Sequence, residues 1–297
     1  MTALKRKGEC DNFPHMKVAL AQTSPHLGNL DKNFQRHKEL IDQAKSAGVD
    51  LLIFPELSLT GYTLKDLTQD VALQVRADPM MNEFRLMSRE LALVLGFVEE
   101  KDNGLAYNSA AYFAKGELLH VHRKVYLPNY GMFEEAKFFA QGRNFHAFDT
   151  PFVRTGMMIC YDFLHYGACY LHFAGGADMI IVLSAAPGRG FSEDEAYATS
   201  HMWELMGETI SRFSTAFVIY CNRVGFEDGK AFAGGSFIFS PVGELLAQAS
   251  YTDEELLIQD IDLDLIRTAR KKLPYRRDNK PEIVLEALKR IVSRYED

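Results

Sequence analysis

Three reactive side chains stand just after short apolar runs in this sequence. Glu56 follows VDLLIFP, Lys124 follows ELLHVHR, and Cys160 follows TGMMI. Such runs are typical of buried strands when turn residues flank them. The loops that leave the strands of an α/β sheet converge at one edge, and ligand crevices commonly form there. We therefore expect the carboxylate, the ammonium and the thiol to meet in one pocket.

These three groups supply what the cleavage of an amide by a thiol requires. The thiol needs a base to accept its proton, donors to hold the oxyanion and an acid for the leaving amine. Glu56 can act as base and then as acid, while Lys124 can bind the oxyanion and favour the thiolate. The backbone N–H of Tyr161, directly after Cys160, is the second oxyanion donor that we expect. The residue types therefore predict nucleophilic catalysis by Cys160.

Taken singly, each of these residues has a simpler interpretation. A free cysteine is usually inert core packing, a carboxylate at a strand end usually faces solvent, and a lysine usually extends its apolar stem along the surface. Cys169 and Cys221 have no activating neighbours in sequence, so we expect them to be packing residues. The histidines match no zinc-ligand spacing, and no metal site is predicted. For Glu56, Lys124 and Cys160, the shared position at strand exits favours catalysis.

Composition limits the class of protein. With 297 residues, of which 47% are hydrophobic and 25% charged, the chain is expected to form one large globular domain. A net charge of -7 disfavours nucleic acid as a partner, because phosphate binding needs clustered positive charge. No run approaches the roughly 20 apolar residues that cross a bilayer, so no membrane partner is expected. The four cysteines are widely spaced without a CxxC pair, which favours a cytoplasmic location.

The apolar periods predict strands that alternate with helices. MKVALAQ, from Met16, predicts a strand, and Asn29 predicts the N-cap of a helix that ends near Gly48. The dipeptide at Lys115 and Gly116 predicts the turn of a hairpin. Comparable elements recur after residue 150, including a helix over 192–214. This recurrence of strands and helices in the second half favours two sheets packed face to face.

The two ends of the chain differ from its centre. Residues 1–15 are polar and are expected to form a flexible arm, whereas residues 16–280 are expected to form the folded domain. Residues 281–297 are charged and carry apolar side chains at helical spacing, at Ile283, Leu285, Leu288 and Ile291. We expect this segment to be a helical tail that docks on a partner subunit.

Three separated segments carry a family resemblance. FPELSLTGY, HRKVYLPNYG and MMICYDF resemble, in this order, the signature segments of the nitrilase or carbon-nitrogen hydrolase superfamily, over roughly residues 16–279. The resemblance implies an α/β fold, a four-layer α/β/β/α sandwich of two mixed sheets with outer helices. It also implies a triad of Glu56, Lys124 and Cys160 that hydrolyses a non-peptide carbon-nitrogen bond through a thioester. No metal or organic cofactor is implied.

Further segments narrow the resemblance. SAAPGRG, NRVGFEDG and FAGGSFIFSPVGE resemble stand-alone amidohydrolases close to the glutaminase domain of NAD synthetase. EAKFFAQG resembles the family segment E-x-x-F-F-x-x-G, which gives Glu135 the role of a second glutamate that holds the lysine. The run CYDFLHYGA departs from the pattern CxDxRFPE of many family amidases. It keeps Asp162, which we expect to be structural, but it lacks the Arg that often holds a substrate carboxylate. The resemblance therefore does not extend to the substrate of the carbamoyl-amide hydrolases.

The expected partner is a small amide, and the resemblance implies a homodimer or a higher homo-oligomer. Substrate contacts are expected from residues near the signature segments, namely Tyr62, Tyr130, Ser184 and Ala185. The loops expected to shape the pocket cover residues 63–71, 129–135 and 187–194. Two alternatives remain open at this point: a nitrilase that uses the same triad, and a binding or scaffold protein that has lost catalysis.

Overall fold

The computed structural model describes residues 15–101, 104–188 and 198–294. Its strands are β1 (His15–Gln22), β2 (Leu51–Ile53), β3 (Ala92–Glu100), β4 (Ala106–Ala114), β5 (Glu117–Arg123), β6 (Phe148–Asp149), β7 (Arg154–Ile159), β8 (Met179–Ser184), β9 (Phe217–Asn222), β10 (Val224–Glu227), β11 (Lys230–Ala233), β12 (Phe237–Phe239), β13 (Leu245–Gln248) and β14 (Glu255–Asp262). Its α-helices are α1 (Leu30–Ser46), α2 (Pro79–Met87), α3 (Glu135–Phe138), α4 (Tyr166–Ala174), α5 (Ala198–Ser214), α6 (Asp264–Lys272), α7 (Tyr275–Asp278) and α8 (Pro281–Val292). Short 3-10 helices cover Lys65–Thr68 and Cys160–Leu164.

The strands form two mixed sheets of six strands each. The order is β14-β1-β2-β3-β4-β5 in the first sheet and β13-β12-β9-β8-β7-β6 in the second, with β10 and β11 as a separate hairpin. Parallel pairs join β1, β2 and β3 in the first sheet and β7, β8 and β9 in the second, and the outer strands pair antiparallel. The predicted α/β fold with two mixed sheets is confirmed.

Alternation along β1 shows how the layers stack. Val18 and Leu20 belong to the core between the sheets, together with residues of β7 and β8. Ala19 and Ala21 face the opposite way, where they join the core under α1 and α2. Successive side chains of a strand point to opposite faces, so one strand serves both layers. The helices α4 and α5 contribute Cys169 and Trp203, among others, to the core of the second sheet. The result is the predicted α/β/β/α order.

The first helix forms where the sequence predicts it. The Asn29 side chain caps α1 by accepting a hydrogen bond from Lys32 N at 3.0 Å. Phe34, Leu40 and Ile41 are buried on one face at helical spacing. The helix ends before Gly48, whose positive φ of 69° suits a chain reversal.

Local residues set the ends of the next helices. Helix α2 begins at Pro79, because the Asp78 carboxylate caps it and Pro is well accommodated in a first turn. A 3-10 turn follows Cys160, and α4 begins after it, since the backbone at His165 is extended. The hairpin of β10 and β11 was not predicted. Residues 1–14, 189–197 and 295–297 lie outside the described residues, and with them most of the predicted arm and the start of the predicted helix over 192–214.

The sheet topology brings the reactive residues to one edge. β2 and β5 of the first sheet run in the same direction, because two antiparallel steps separate β3 from β5. Their exits therefore deliver Glu56 and Lys124 to the same side. β7 and β8 are parallel in the second sheet, and their ends deliver Cys160 and Ser184. Within the described part of the chain, no helix is long and apolar enough to cross a membrane.

Gly96 of β3 provides a test of how tightly the strands hold the Glu56 turn. A Cβ at Gly96 would lie 2.5 Å from Pro55 O and 2.9 Å from the carbonyl carbon of Glu56. We expect Gly96→Ala to displace this turn, to cost about 1–3 kcal/mol of stability and to lower activity. Gly167→Ala in α4 is the matched control, because a Cβ there meets nothing within 4 Å. Thermal unfolding and turnover of both variants check this, and equal stability of the two variants would contradict it.

Candidate active site

Cys160 occupies a strained turn at the end of β7. Its φ of 46° lies in the left-handed region, which is unfavourable for a residue with a side chain. Such a conformation costs about 1–3 kcal/mol and persists only where the surroundings enforce it. The residue is buried, with 8% of its surface exposed, and it begins the 3-10 helix Cys160–Leu164. This geometry places a thiol at a sharp strand-to-helix turn.

The Lys124 ammonium lies between two carboxylates. Its Nζ is 2.7 Å from Glu56 Oε1 and 2.7 Å from Glu135 Oε1, and all three side chains are buried. Burial disfavours the charge of Lys124, but the carboxylates of Glu135 and Glu56 outweigh this effect and raise the pKa of Lys124 above its ordinary value. The two carboxylates therefore favour the charged form of Lys124.

Two further donors fix the orientation of Glu56. Asn108 Nδ2 donates to Glu56 Oε1 at 2.7 Å, and the Ala185 backbone N–H donates to Oε2 at 2.7 Å. The next residue, Leu57, has a φ of 49°, so the chain turns sharply just after the carboxylate. Asn108 was not predicted as a site residue. The signal was an amide side chain in the mostly apolar run of β4, where a buried polar group needs a partner.

Glu135 and Tyr62 extend the polar network. The Tyr62 hydroxyl donates to Glu135 Oε1 at 2.5 Å, the same oxygen that accepts from Lys124. Glu135 Oε2 is buried and has no hydrogen-bond partner among the described residues. The site therefore contains an unsatisfied acceptor next to the lysine.

Asp162 joins the cysteine turn to the lysine loop. Its Oδ1 accepts from the backbone N–H of Val125 at 3.0 Å and of Tyr126 at 2.8 Å. Its Oδ2 accepts from Ile159 N at 3.2 Å and contacts His122 Nε2 at 2.8 Å. One buried carboxylate thus holds both the segment before Cys160 and the segment after Lys124. These contacts agree with the structural role expected for Asp162, and the part played by His122 was not foreseen.

Comparison with known proteins identifies the family. Residues 17–271 match the family model described as carbon-nitrogen hydrolase. The chain belongs to the carbon-nitrogen hydrolase family. It is 34% identical to a glutamine-dependent NAD(+) synthetase of Acinetobacter baylyi over 84% of this chain and 44% of that protein. It is 30% identical to a nitrilase of Pyrococcus abyssi over 86% of this chain and 93% of that protein.

Solved structures agree with this assignment. A carbon-nitrogen hydrolase from Helicobacter pylori G27 superposes with a TM-score of 0.82 at 25% identity, covering 92% of this chain and 98% of that chain. A glutamine-dependent NAD+ synthetase from Acinetobacter baumannii superposes with a TM-score of 0.75 at 32% identity, covering 85% of this chain and 46% of that chain. The chain therefore spans less than half of each of these two synthetases.

The electrostatics of the site disfavour the thiolate of Cys160. Burial and the neighbouring Glu56 carboxylate raise the pKa of the Cys160 thiol to about 12, against the opposing effects of Lys124 and of a hydrogen bond with Ser184. Lys124 was expected to favour the thiolate, and its effect is present but smaller than the effects that oppose it. Ser184 also accepts a hydrogen bond from the Tyr220 hydroxyl at 3.0 Å. The thiol therefore needs a base to take its proton during attack.

The other predicted site residues lie around this centre. Tyr130 is half exposed, and its ring is 5.7 Å from the ring of Tyr161. The Ala185 N–H is already bonded to Glu56. A small cavity of about 50 Å³ opens beside Tyr62 and Glu135. Substrate contacts of Tyr62, Tyr130, Ser184 and Ala185, and the oxyanion role of the Tyr161 N–H, remain predictions. The described residues contain no cluster of metal-binding side chains.

Glu135 gives a prediction for the pH profile. Burial raises the pKa of Glu135 to about 7, with Lys124 opposing and Glu56 reinforcing the shift. As the pH falls through this value, Glu135 gains a proton and Lys124 loses one of its two charged partners. We expect kcat/KM to fall as the pH falls below this value, which gives the profile an acid limb. We expect Glu135→Gln to lower kcat/KM by on the order of 10²-fold or more and to show no such acid limb. The neighbouring exposed Glu134, changed to Gln, is the control. An unchanged acid limb in Glu135→Gln would contradict the assignment.

Proposed function

We propose that this protein hydrolyses the carbon-nitrogen bond of a small linear amide, giving a carboxylic acid and ammonia through a thioester on Cys160. The observation that carries the proposal is the buried Lys124 ammonium, 2.7 Å from both Glu56 and Glu135, beside the strained cysteine turn. A thiol, a base held in a fixed orientation and a cation are the groups that acyl transfer needs.

The first half of the reaction forms the acyl-enzyme. Cys160 Sγ attacks the amide carbon while the thiol proton passes to Glu56, and the carbonyl oxygen becomes an oxyanion stabilised by Lys124 and the Tyr161 N–H. The tetrahedral intermediate then collapses, the carbon-nitrogen bond breaks, and Glu56 returns the proton to the departing nitrogen. Ammonia leaves, and the acyl group remains on sulfur as a thioester.

The second half regenerates the enzyme. Glu56, again a carboxylate, takes a proton from water as the water oxygen attacks the thioester carbon. Collapse of the second tetrahedral intermediate breaks the carbon-sulfur bond, and Glu56 protonates the leaving sulfur. One water is consumed and one acid is released, so the cycle balances without any further reactant.

The comparisons suggest which substrates to test first. The Acinetobacter baylyi relative is named a glutamine-dependent synthetase, which supports a primary amide such as glutamine as the substrate class. The Pyrococcus abyssi relative is named a nitrilase, which keeps nitrile hydrolysis as the second candidate. A panel of primary amides and matching nitriles separates the two. Acid formed from nitriles but not from amides would favour the second candidate.

Cys160→Ala tests the proposal directly. Without the sulfur no thioester can form, and we expect ammonia release to fall by on the order of 10⁴-fold or more with the fold retained. Cys169→Ala is the matched control, since Cys169 is a buried cysteine whose thiol donates to Phe163 O. Mass spectrometry of the wild-type protein with substrate should show an acyl adduct on the peptide with Cys160. Normal turnover by Cys160→Ala would refute the proposal, and a wild-type protein inert toward both amides and nitriles would revive the scaffold alternative.

We also propose that the chain acts as a homodimer or a higher homo-oligomer. α4 exposes Tyr166 at 81% and α5 exposes Phe213 at 63%, on either side of an apolar cavity of about 570 Å³. All of α8 is exposed, and it carries apolar side chains along one side, including Leu285 and Leu288. Contiguous apolar surface of this kind commonly marks an interface.

Light scattering coupled to size exclusion tests this arrangement. We expect Leu288→Lys to shift the protein toward smaller species, because it places a charge in the apolar side of α8. Glu286→Lys, on the charged side of the same helix, controls for charge alone and should leave the mass unchanged. A wild-type mass equal to one chain would contradict an oligomer.

A further inference from the structure

A buried ion pair lies outside the triad, just after β9. Arg223 Nη1 is 2.6 Å from Glu227 Oε2, and both side chains are almost fully buried. The guanidinium also stacks on Phe232, with Cζ 4.0 Å from the ring centre. Arg223 Nε and Nη2 have no hydrogen-bond partner within the described part of the chain. Glu227 is therefore the hydrogen-bonded group that compensates the charge of Arg223, while the Glu56 carboxylate acts on the same guanidinium electrostatically from a greater distance.

Glu227 also holds the turn that carries Tyr62. Its Oε1 accepts from Tyr62 N at 3.0 Å and from Thr63 N at 2.6 Å, and its Oε2 lies 3.2 Å from Tyr62 N. The close approach depends on Gly61, where a Cβ would lie 2.8 Å from Glu227 Oε2 and where φ is 79°. The Glu227 carboxylate therefore accepts the hydrogen bonds of the Tyr62 and Thr63 N–H groups, as a backbone carbonyl does elsewhere, and it fixes the backbone of Tyr62.

The opposite end of Tyr62 reaches the active site. Its hydroxyl donates to Glu135 Oε1 at 2.5 Å, and that oxygen lies 2.7 Å from Lys124 Nζ. Phe232, which stacks on Arg223, also packs edge-on against the Tyr62 ring with centroids 5.9 Å apart. Tyr62 is thus clamped at its backbone by Glu227, at its ring by Phe232 and at its hydroxyl by Glu135.

We propose that Arg223 and Glu227 are positioning residues, which set the orientation of Glu135 against Lys124 through Tyr62. The inference rests on the proposed function and deepens it. No hydrogen bond or ion pair in the described part of the chain joins either residue to Cys160, Lys124 or Glu56. A purely structural role for the same pair predicts lower stability only. The positioning role predicts, in addition, a change in the ionisation of the site that passes through Tyr62.

Glu227→Gln is the principal variant, because it keeps the shape of the side chain and removes its charge. We expect kcat to fall about 10-fold or more with little change in KM, and the acid limb of the pH profile to move. Phe232→Leu is the second variant. It keeps the ion pair, removes the aromatic contacts to Arg223 and Tyr62, and should shift the same pH profile by a smaller amount. It therefore tests the proposal even if Glu227→Gln does not fold.

A double-mutant cycle with Tyr62→Phe identifies the route. Loss of the hydroxyl disconnects Tyr62 from Glu135, so Glu227→Gln should cost little further activity in the Tyr62→Phe protein. Asp228→Asn is the matched control, since it breaks the exposed Lys65 ion pair beside the same hairpin turn and should leave all profiles unchanged. If the losses of activity caused by Glu227→Gln and Tyr62→Phe simply multiply in the double variant, the proposal is overturned. A lower melting temperature of Glu227→Gln with an unchanged pH profile would overturn it as well.

Alkylation of Cys160 by iodoacetamide provides a readout that needs no substrate. Its rate as a function of pH, followed by intact mass, reports the charges around the sulfur. A wild-type protein that turns over no amide would overturn the proposed function, while the alkylation profile would still test the positioning role. An identical alkylation profile in the wild type and in the folded Glu227→Gln or Phe232→Leu variant would overturn that role.

Discussion

The structure depends on the burial of one ammonium between two carboxylates. Removing a charged side chain from water costs several kcal/mol, and a buried cluster is tolerated only when every charge has close partners. Lys124 Nζ lies 2.7 Å from both Glu56 and Glu135. The remaining negative charge of the carboxylates is stabilised by hydrogen bonds, from Asn108 and a backbone N–H to Glu56 and from Tyr62 to Glu135. Loss of a single partner from such a cluster typically costs about 3–5 kcal/mol.

This constraint explains why the site needs both sheets. Glu56 and Lys124 come from exits of the first sheet, whereas the Ala185 N–H and Cys160 come from the second. Asp162 crosses between them, because it belongs to the cysteine turn and accepts from backbone groups that follow Lys124. Face-to-face packing of the sheets is therefore a condition for the proposed chemistry, and a shift of one sheet against the other would separate Glu56 from the Ala185 N–H and from Cys160.

The sequence indicated the groups that sit at strand exits and, through a family segment, Glu135 beside the lysine, but it did not indicate the other groups that hold them. Glu56, Lys124 and Cys160 follow apolar runs, and periodicity together with the family segments locates such positions. Contacts such as Asn108 to Glu56 join residues 52 apart, and no local pattern encodes such a pair. The hairpin of β10 and β11, in contrast, has a local signal in the sequence. Asp228 and the following glycine have positive φ values of 48° and 75°, and an Asp-Gly pair is a known hairpin signal.

The same charge balance indicates the order of proton and bond transfer. Above the pKa of Glu135, with Glu56 and Glu135 as carboxylates and Lys124 protonated, the centre carries one net negative charge, and a preformed thiolate would add a second, which agrees with the raised pKa of Cys160. In the proposed mechanism, attack by the neutral thiol avoids this, because the proton moves to Glu56 while the negative charge appears on the substrate oxygen. The net charge stays constant in this proposal, and Lys124 is the cation that would stabilise it. The ammonium that stabilises Glu56 in the resting enzyme can therefore stabilise the oxyanion without rearrangement, which is the condition for electrostatic preorganisation.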